Sequence, residues 1–187
     1  MKRFILPVAA ALALAAYAPA GAPSAQSAVR PTAPQVHVAL DDATIVAIFD
    51  YANTRDIESS ELAAKKGHDK RVRALGNQFA HDHAAVRQQG RDLAKKLGVT
   101  PTPPVGDNSH ADQAAVMKML AGKRGAEFDK AYLANEVAFH AAVIDAVTKT
   151  LLPAIQNAEL KAFVEKIAPA FQGHLLAAQN LQKQLGY

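Results

Sequence analysis

From residue 41 onward, apolar side chains recur every three to four positions, which is the period of an amphipathic helix and not the alternation of a strand. Ile45, Ile48, Phe49, Ala52 and Leu62 mark a first helix, with Asp41 or Asp42 as its cap. Lys65-Lys66-Gly67 reads as its stop: cations near the last carbonyls, then a glycine expected to take a left-handed exit. Asp69 opens a second helix with the stripe Val72, Leu75, Phe79, Val86, Leu93 and Leu97, closed by Lys95, Lys96 and Gly98. The proline-rich run 99–106 cannot be helical. Ser109 with Asp112 resembles a capping box for a short helix through Val116, Met119 and Leu120, which Gly122 and Gly125 break. A third long helix is predicted over 126–150, with Phe128, Leu133, Val137, Val143, Ile144 and Val147 inward. Pro153 marks the next turn, and Asn157 caps a fourth helix with the stripe Leu160, Phe163, Ile167, Phe171, Leu175, Leu181 and Leu185. Pro169 lies inside that helix and is expected to kink it or open its hydrogen-bond ladder locally.

Tight links make the first and second helices, and the third and fourth, antiparallel neighbours. The long connection between the pairs can run the length of a bundle. The predicted fold is therefore all-α: a ferritin-like four-helix bundle of two antiparallel hairpins joined by a long crossover with a short extra helix.

The polar positions on these stripes add chemistry. His83 shares a face of the second helix with Phe79, Val86 and Gly90, and Asp82 flanks it. Asp129, Glu136 and His140 share a face of the third helix with Leu133, Val143 and Val147, and His174 shares a face of the fourth with Phe171, Ala178 and Leu181. Asp56 and Glu58 lie on or beside the inner stripe of the first. Burying ionisable groups costs several kcal/mol unless they are paired. Either a hydrogen-bonded network of carboxylates and imidazoles or a bound cation meets that cost. The candidate ligands are Asp56, Asp82, His83, Glu136, His140 and His174, and imidazole with carboxylate suits Fe, Zn, Mn or Cu. Folding each hairpin about its turn predicts two compact groups, Asp56 with Asp82 and His83, and Glu136 with His174, and not one ring. The spacing departs from a di-iron pattern, since Glu136 and His140 are four apart and no acid stands three before His174. No catalytic residue is assigned. His37, His68, His81 and His110 are expected on the outside, and Tyr132 could bond the inner carboxylates. Met117 and Met119 are too few for a copper-binding cluster, and no phosphate loop, nucleophile elbow or His-Glu-x-x-His motif occurs.

The chain of 187 residues is long enough for one domain with a real core. The absence of cysteine excludes disulfides, thiolate metal sites and cysteine nucleophiles. A formal net charge of +4 includes Lys2 and Arg3, and the remaining cations alternate with acids along helices, a pattern of solvated faces and not of nucleic-acid binding. Lys2 and Arg3 precede an apolar run from Phe4 to about Ala18, followed by Ala18-Pro19-Ala20 and Ser24-Ala25. This predicts a signal peptide over 1–25, a disordered Ala/Pro/Ser-rich linker over 26–40 and the bundle over 41–187. The run is shorter than a membrane span and is interrupted by Pro7, and no other segment is expected to cross a bilayer. The expected location is the periplasm or the exterior.

Four stretches carry a family resemblance: Asp56-Ile57-Glu58 with Leu62-Ala63; Phe79-Ala80-His81-Asp82-His83; Phe128-Asp129-Lys130-Ala131-Tyr132 running on to Glu136 and His140; and Pro169 with His174-Leu175. In that order they resemble the DUF4142 family of exported, ferritin-like bacterial proteins. The resemblance implies polar positions at Asp56, Asp82, His83, Tyr132, Glu136, His140 and His174, a helical bundle and an envelope location, with no established reaction. Where it leads one to expect glutamine, this chain has Glu136, an acid that favours a cation. Two functions compete. One is metal binding for sequestration or envelope stress protection. The other is a non-enzymatic structural module with an envelope protein partner. An oxidase would need a second bridging carboxylate that the sequence does not place. The sequence leaves the oligomeric state open.

Overall fold

The computed structural model describes residues 40–187; the predicted leader and linker, with His37, lie outside the described residues. Among the described residues every regular element is helical: α1 Asp42–Lys66, α2 Lys70–Leu97, α3 Ser109–Gly122, α4 Gly125–Ala146, a π-helical turn Val147–Leu151, the short α5 Leu152–Ala154, and α6 Ala158–Leu185.

Side-chain caps start three of these helices. Asp41 accepts from the Thr44 amide at 2.8 Å, Asp69 from Arg71 at 2.7 Å, and Asn157 from Glu159 and Leu160 at 2.9 and 3.1 Å. The expected capping box at Ser109 is not formed. Asn108 holds the cap position without a side-chain bond, and Asp107 instead takes the Ser109 amide and hydroxyl at 2.9 and 2.8 Å. Gly98 leaves α2 in the left-handed conformation, φ 66°, as expected. Gly67 does not: its φ is −52°, and it is glycine because a Cβ there would lie 2.8 Å from the Ala63 carbonyl oxygen.

α1 lies along α2 in reverse order, Ser60 beside Gly76, Asn53 beside His83 and Phe49 beside Gly90. A Cβ on Gly76 would stand 2.6 Å from the Ser60 carbonyl oxygen, so glycine is what lets these two backbones close up. α4 pairs with α6. The third long helix ends differently from the reading at Pro153. A π-helical turn carries the chain into α5, and the link to α6 is at 155–157. α6 remains helical through Pro169.

Each pair's turn is held by a carboxylate of the other pair. Asp129 on α4 accepts from the His68 and Asp69 amides at 2.8 and 2.7 Å, and Asp42 on α1 accepts from Gln156 and Asn157, both at 2.9 Å. α3 is pinned to α1 by Tyr51 donating to the Ser109 carbonyl and Gln113 donating to the Arg55 carbonyl at 3.1 Å.

Two apolar clusters result. One gathers Val72, Leu75, Phe79, Leu120, Phe128, Leu133 and Leu181, and the other Ile45, Val46, Ala94, Val147, Ile155, Leu160 and Val164. Along the long helices the buried polar residues fall between them, apart from Thr44 and Asp129 near the starts of α1 and α4. By length and composition the stretch Gly125–Ala154 would pass as a membrane span, with a mean hydropathy of 1.3, which the sequence reading did not anticipate. Its inner side nevertheless carries the fully buried Asp129, Glu136 and His140.

Candidate metal centre

Each long helix sends polar side chains into the space between the two apolar clusters. α1 supplies Asn53, Asp56, Ser59 and Ser60, α2 His83, α4 Tyr132, Glu136 and His140, and α6 His174. Asp56, Glu136 and His140 are wholly inaccessible, and His83 and His174 nearly so.

Outer hydrogen bonds orient the three imidazoles. Asn53 gives its amide NH2 to the Phe49 carbonyl at 2.8 Å, so its oxygen faces His83 Nδ1 at 2.9 Å and that nitrogen must be the N–H donor. His140 Nδ1 donates to the Glu136 carbonyl at 3.1 Å. His174 Nε2 lies 3.1 Å from Asp82 Oδ2, a carboxylate that can only accept. The remaining nitrogens, His83 Nε2, His140 Nε2 and His174 Nδ1, therefore turn lone pairs inward. Orientation of one ring nitrogen by an outer acceptor is how metal-ligating histidines are commonly held. His83 Nε2 and His174 Nδ1 face each other at 3.1 Å. Without a cation that contact needs an extra proton on one of the two rings, and burial lowers the affinity of both for one.

The carboxylates are half satisfied. Asp56 Oδ1 accepts from Ser60 at 3.0 Å, and Ser60 in turn shares a hydrogen bond with the Tyr132 hydroxyl at 3.0 Å. Glu136 Oε1 accepts from Ser59 at 3.2 Å and Asn135 at 3.3 Å. Asp56 Oδ2, Glu136 Oε2 and His140 Nε2 have no hydrogen-bond partner besides the proton that the Glu136 carboxyl, when neutral, can share with Asp56. Asp56 Oδ2 lies 3.5 Å from His83 Nε2 and 3.7 Å from His140 Nε2. These are not ion pairs, because burial holds His83 far below the usual imidazole range and His140 at about 4. Burial also raises Asp56 to about 6 and, with the Asp56 charge beside it, Glu136 well above the carboxylate range. The cluster is thus short of positive charge and rich in lone pairs. His83, His140 and His174 offer ligand atoms all within 4.8 Å of one another, and so do Asp56, Glu136 and His140.

The structure brings five of the six candidate ligands into one cluster and corrects the expectation of two separate groups. Measured from Pro153, the second hairpin sets His174 against Leu133. With the link at 155–157, His174 falls between Glu136 and His140, whose ring centroid is 5.3 Å away. Asp82 sits at the rim, bonded only to His174. Glu58 is exposed and takes a bond from Gln113, and Asp129 is engaged by the α1–α2 turn, so neither joins the cluster. His68, His81 and His110 are exposed as expected. Tyr132 reaches the carboxylates through Ser60. Asn53, Ser59 and Ser60 were missed. Their only signal is the three- to four-residue spacing Asn53, Asp56, Ser60, Ala63, a polar inner stripe.

No curated protein and no solved structure matches this chain. The family described as "Domain of unknown function (DUF4142)" matches residues 27–181, most of the chain, and the protein belongs to that family.

Proposed function

We propose that this protein holds one first-row transition-metal ion between its helices, through His83, His140, His174 and Asp56 with Glu136 beside them, and serves to sequester that ion in the cell envelope. The observation that carries the reading is the convergence of three inward imidazole lone pairs within 4.8 Å of one another, His83 Nε2 and His174 Nδ1 at 3.1 Å, with Asp56 Oδ2 lying 3.5 Å from His83 Nε2 and 3.7 Å from His140 Nε2. Donors around a tetrahedral ion with bonds near 2.0–2.1 Å stand roughly 3.3 Å apart. Three imidazoles and a carboxylate suit Zn, Cu or Fe, and suit Mn less. The ligands are closed off from solvent, which supports holding an ion over transforming a substrate. The Lys2-Arg3 leader pattern supports export.

The fold we assign to this function is the ferritin-like four-helix bundle. Its support is the reversed α1–α2 and α4–α6 pairings, the Asp129 and Asp42 contacts that set each turn beside the other pair's open end, and the crossover through α3. The competing reading, a polar network that is structural only, draws on the hydrogen bonds of Asn53, Ser59 and Ser60. Thermal melting of metal-free, untagged protein separates the two. Saturating Zn, Cu, Fe or Mn should raise Tm by on the order of 10 °C for at least one ion. His83→Gln should abolish that rise. A Tm indifferent to all four ions leaves the structural reading standing alone.

A further inference from the structure

We propose that the ion reaches the centre through the seam between α2 and α6, with Asp82 as the side chain that takes it first and His174 as the ligand that receives it from Asp82; this rests on the metal reading above. The inner ligands form a gradient of access. Asp56, Glu136 and His140 are 0 % exposed, His83 3 % and His174 8 %, while the Asp82 side chain is 39 % exposed. Asp82 Oδ2 lies 3.1 Å from His174 Nε2, and His174 Nδ1 on the other side of the ring lies 3.1 Å from His83 Nε2, so the carboxylate and the two rings follow one another from the surface to the interior. His174 Nε2 carries the proton it donates to Asp82, and a cation held by Asp82 meets the His174 lone pair once that hydrogen bond parts and the ring turns. A hydrated cation can therefore exchange waters first for the Asp82 carboxylate at the rim and then, as the His174 ring turns, for the imidazole lone pairs inside.

The other approaches are closed or unsuited. On the far side, α3 packs on both α1 and α4 and covers the seam between them. The groove of about 420 Å³ beside the π-helical turn is lined mainly by Ile144, Val147, Leu152, Pro169 and Phe171, with Thr148, Glu165 and Gln172 as its polar residues, and includes none of the cluster's ligands. The Phe171 ring, its centroid 6.2 Å from that of His83, stands between the groove and that ligand. Stripping water from a divalent ion against such walls is costly. The α2–α6 seam is thinner than the contacts within either pair.

Loading kinetics test this with Zn²⁺ alone as the probe. Metal-free protein is mixed rapidly with Zn²⁺ and a zinc-responsive dye, and release is followed with excess chelator. Asp82→Asn should slow loading by about tenfold or more, and should flatten the fall of the wild-type loading rate with added salt. Asp82→Glu should load within about threefold of wild type, and Asp92→Asn, an exposed acid elsewhere on α2, should match it. If Asp82 only orients His174, Asp82→Asn loads at the wild-type rate and releases faster, which overturns the route while leaving the metal site intact. If wild-type protein takes up no Zn²⁺ and no other ion, the metal reading fails and the route falls with it.

Discussion

Replacing Asp56 by asparagine should make the metal-free protein more stable while destroying its response to metal. Asp56 is fully buried, and burial raises its carboxyl to about 6, so at pH 7.5 it is held ionised in a place that disfavours the charge. Relative to an ordinary aspartate, the shift corresponds to on the order of 3 kcal/mol, at about 1.4 kcal/mol per pH unit. Asparagine keeps the oxygen that accepts from Ser60 and puts an NH2 where Oδ2 stood, 3.5 Å from His83 Nε2 and 3.7 Å from His140 Nε2. The substitution removes a buried charge and sets a donor at hydrogen-bond distance from the His83 Nε2 lone pair, while His140 Nε2 at 3.7 Å stays beyond its reach. Over a domain of this size the gain should raise Tm by roughly 5–10 °C. The assay is paired thermal and urea unfolding of wild type and Asp56→Asn, stripped of metal and then with each ion. A metal-free variant less stable than wild type would show that the carboxylate is already satisfied by protein groups. A variant that metal still stabilises as strongly as wild type would show that Asp56 is no ligand.

Further outcomes follow from the same geometry. Because His140 is held at about 4 when folded and its unfolded value is near 6.5, the unfolded chain binds the extra proton between those pH values; stability is intact above pH 6.5 and falls toward pH 4. The stability difference between metal-free wild type and His140→Gln should therefore shrink by about 3 kcal/mol from pH 7 to pH 4, and parallel pH curves from urea titrations would refute this. Gly76→Ala sets a Cβ 2.6 Å from the Ser60 carbonyl oxygen and 2.8 Å from the Ala64 nitrogen, backbone atoms that cannot step aside, and should cost about 1–3 kcal/mol. Gly173→Ala in α6 meets nothing within 4 Å and should gain about 0.5–1 kcal/mol from helix propensity, so equal effects at the two glycines would contradict the close α1–α2 approach. Ser60→Ala leaves Asp56 Oδ1 and the buried Tyr132 hydroxyl without their shared partner and should cost about 1–3 kcal/mol, with Tyr132→Phe costing less because it deletes its polar group instead of stranding one.

The helical class, the long helices and their inward histidines were legible because apolar stripes run straight through His83, His140 and His174 and identify those rings as buried. The inner face of α1 was less legible. Asn53, Ser59 and Ser60 are small and polar, and such residues on a helix look solvent-facing until a partner helix supplies the groups they bond. The convergence of the cluster was hidden by a shift in one turn. Proline at 153 signals a break, yet Pro153 lies near the end of a helical run that continues from Gly125 through the π-helical turn, and the chain bends only at 155–157. That displacement, with the π-helical turn before it, moves His174 from Leu133 to His140. The Gly67 exit failed for a related reason: glycine marks a need for space as readily as a positive φ, and only the neighbouring Ala63 carbonyl distinguishes the two.

The most direct test is the elemental content of untagged protein, purified without chelators and measured per folded chain. If the imidazoles and Asp56 are ligands, close to one equivalent of a first-row transition metal should travel with the chain and be lost in His83→Gln and His174→Gln variants that remain folded. Protein that is isolated without metal, and stays without it after equilibration with Zn, Cu, Fe and Mn, would mean that the lone pairs at the centre are served by protons alone.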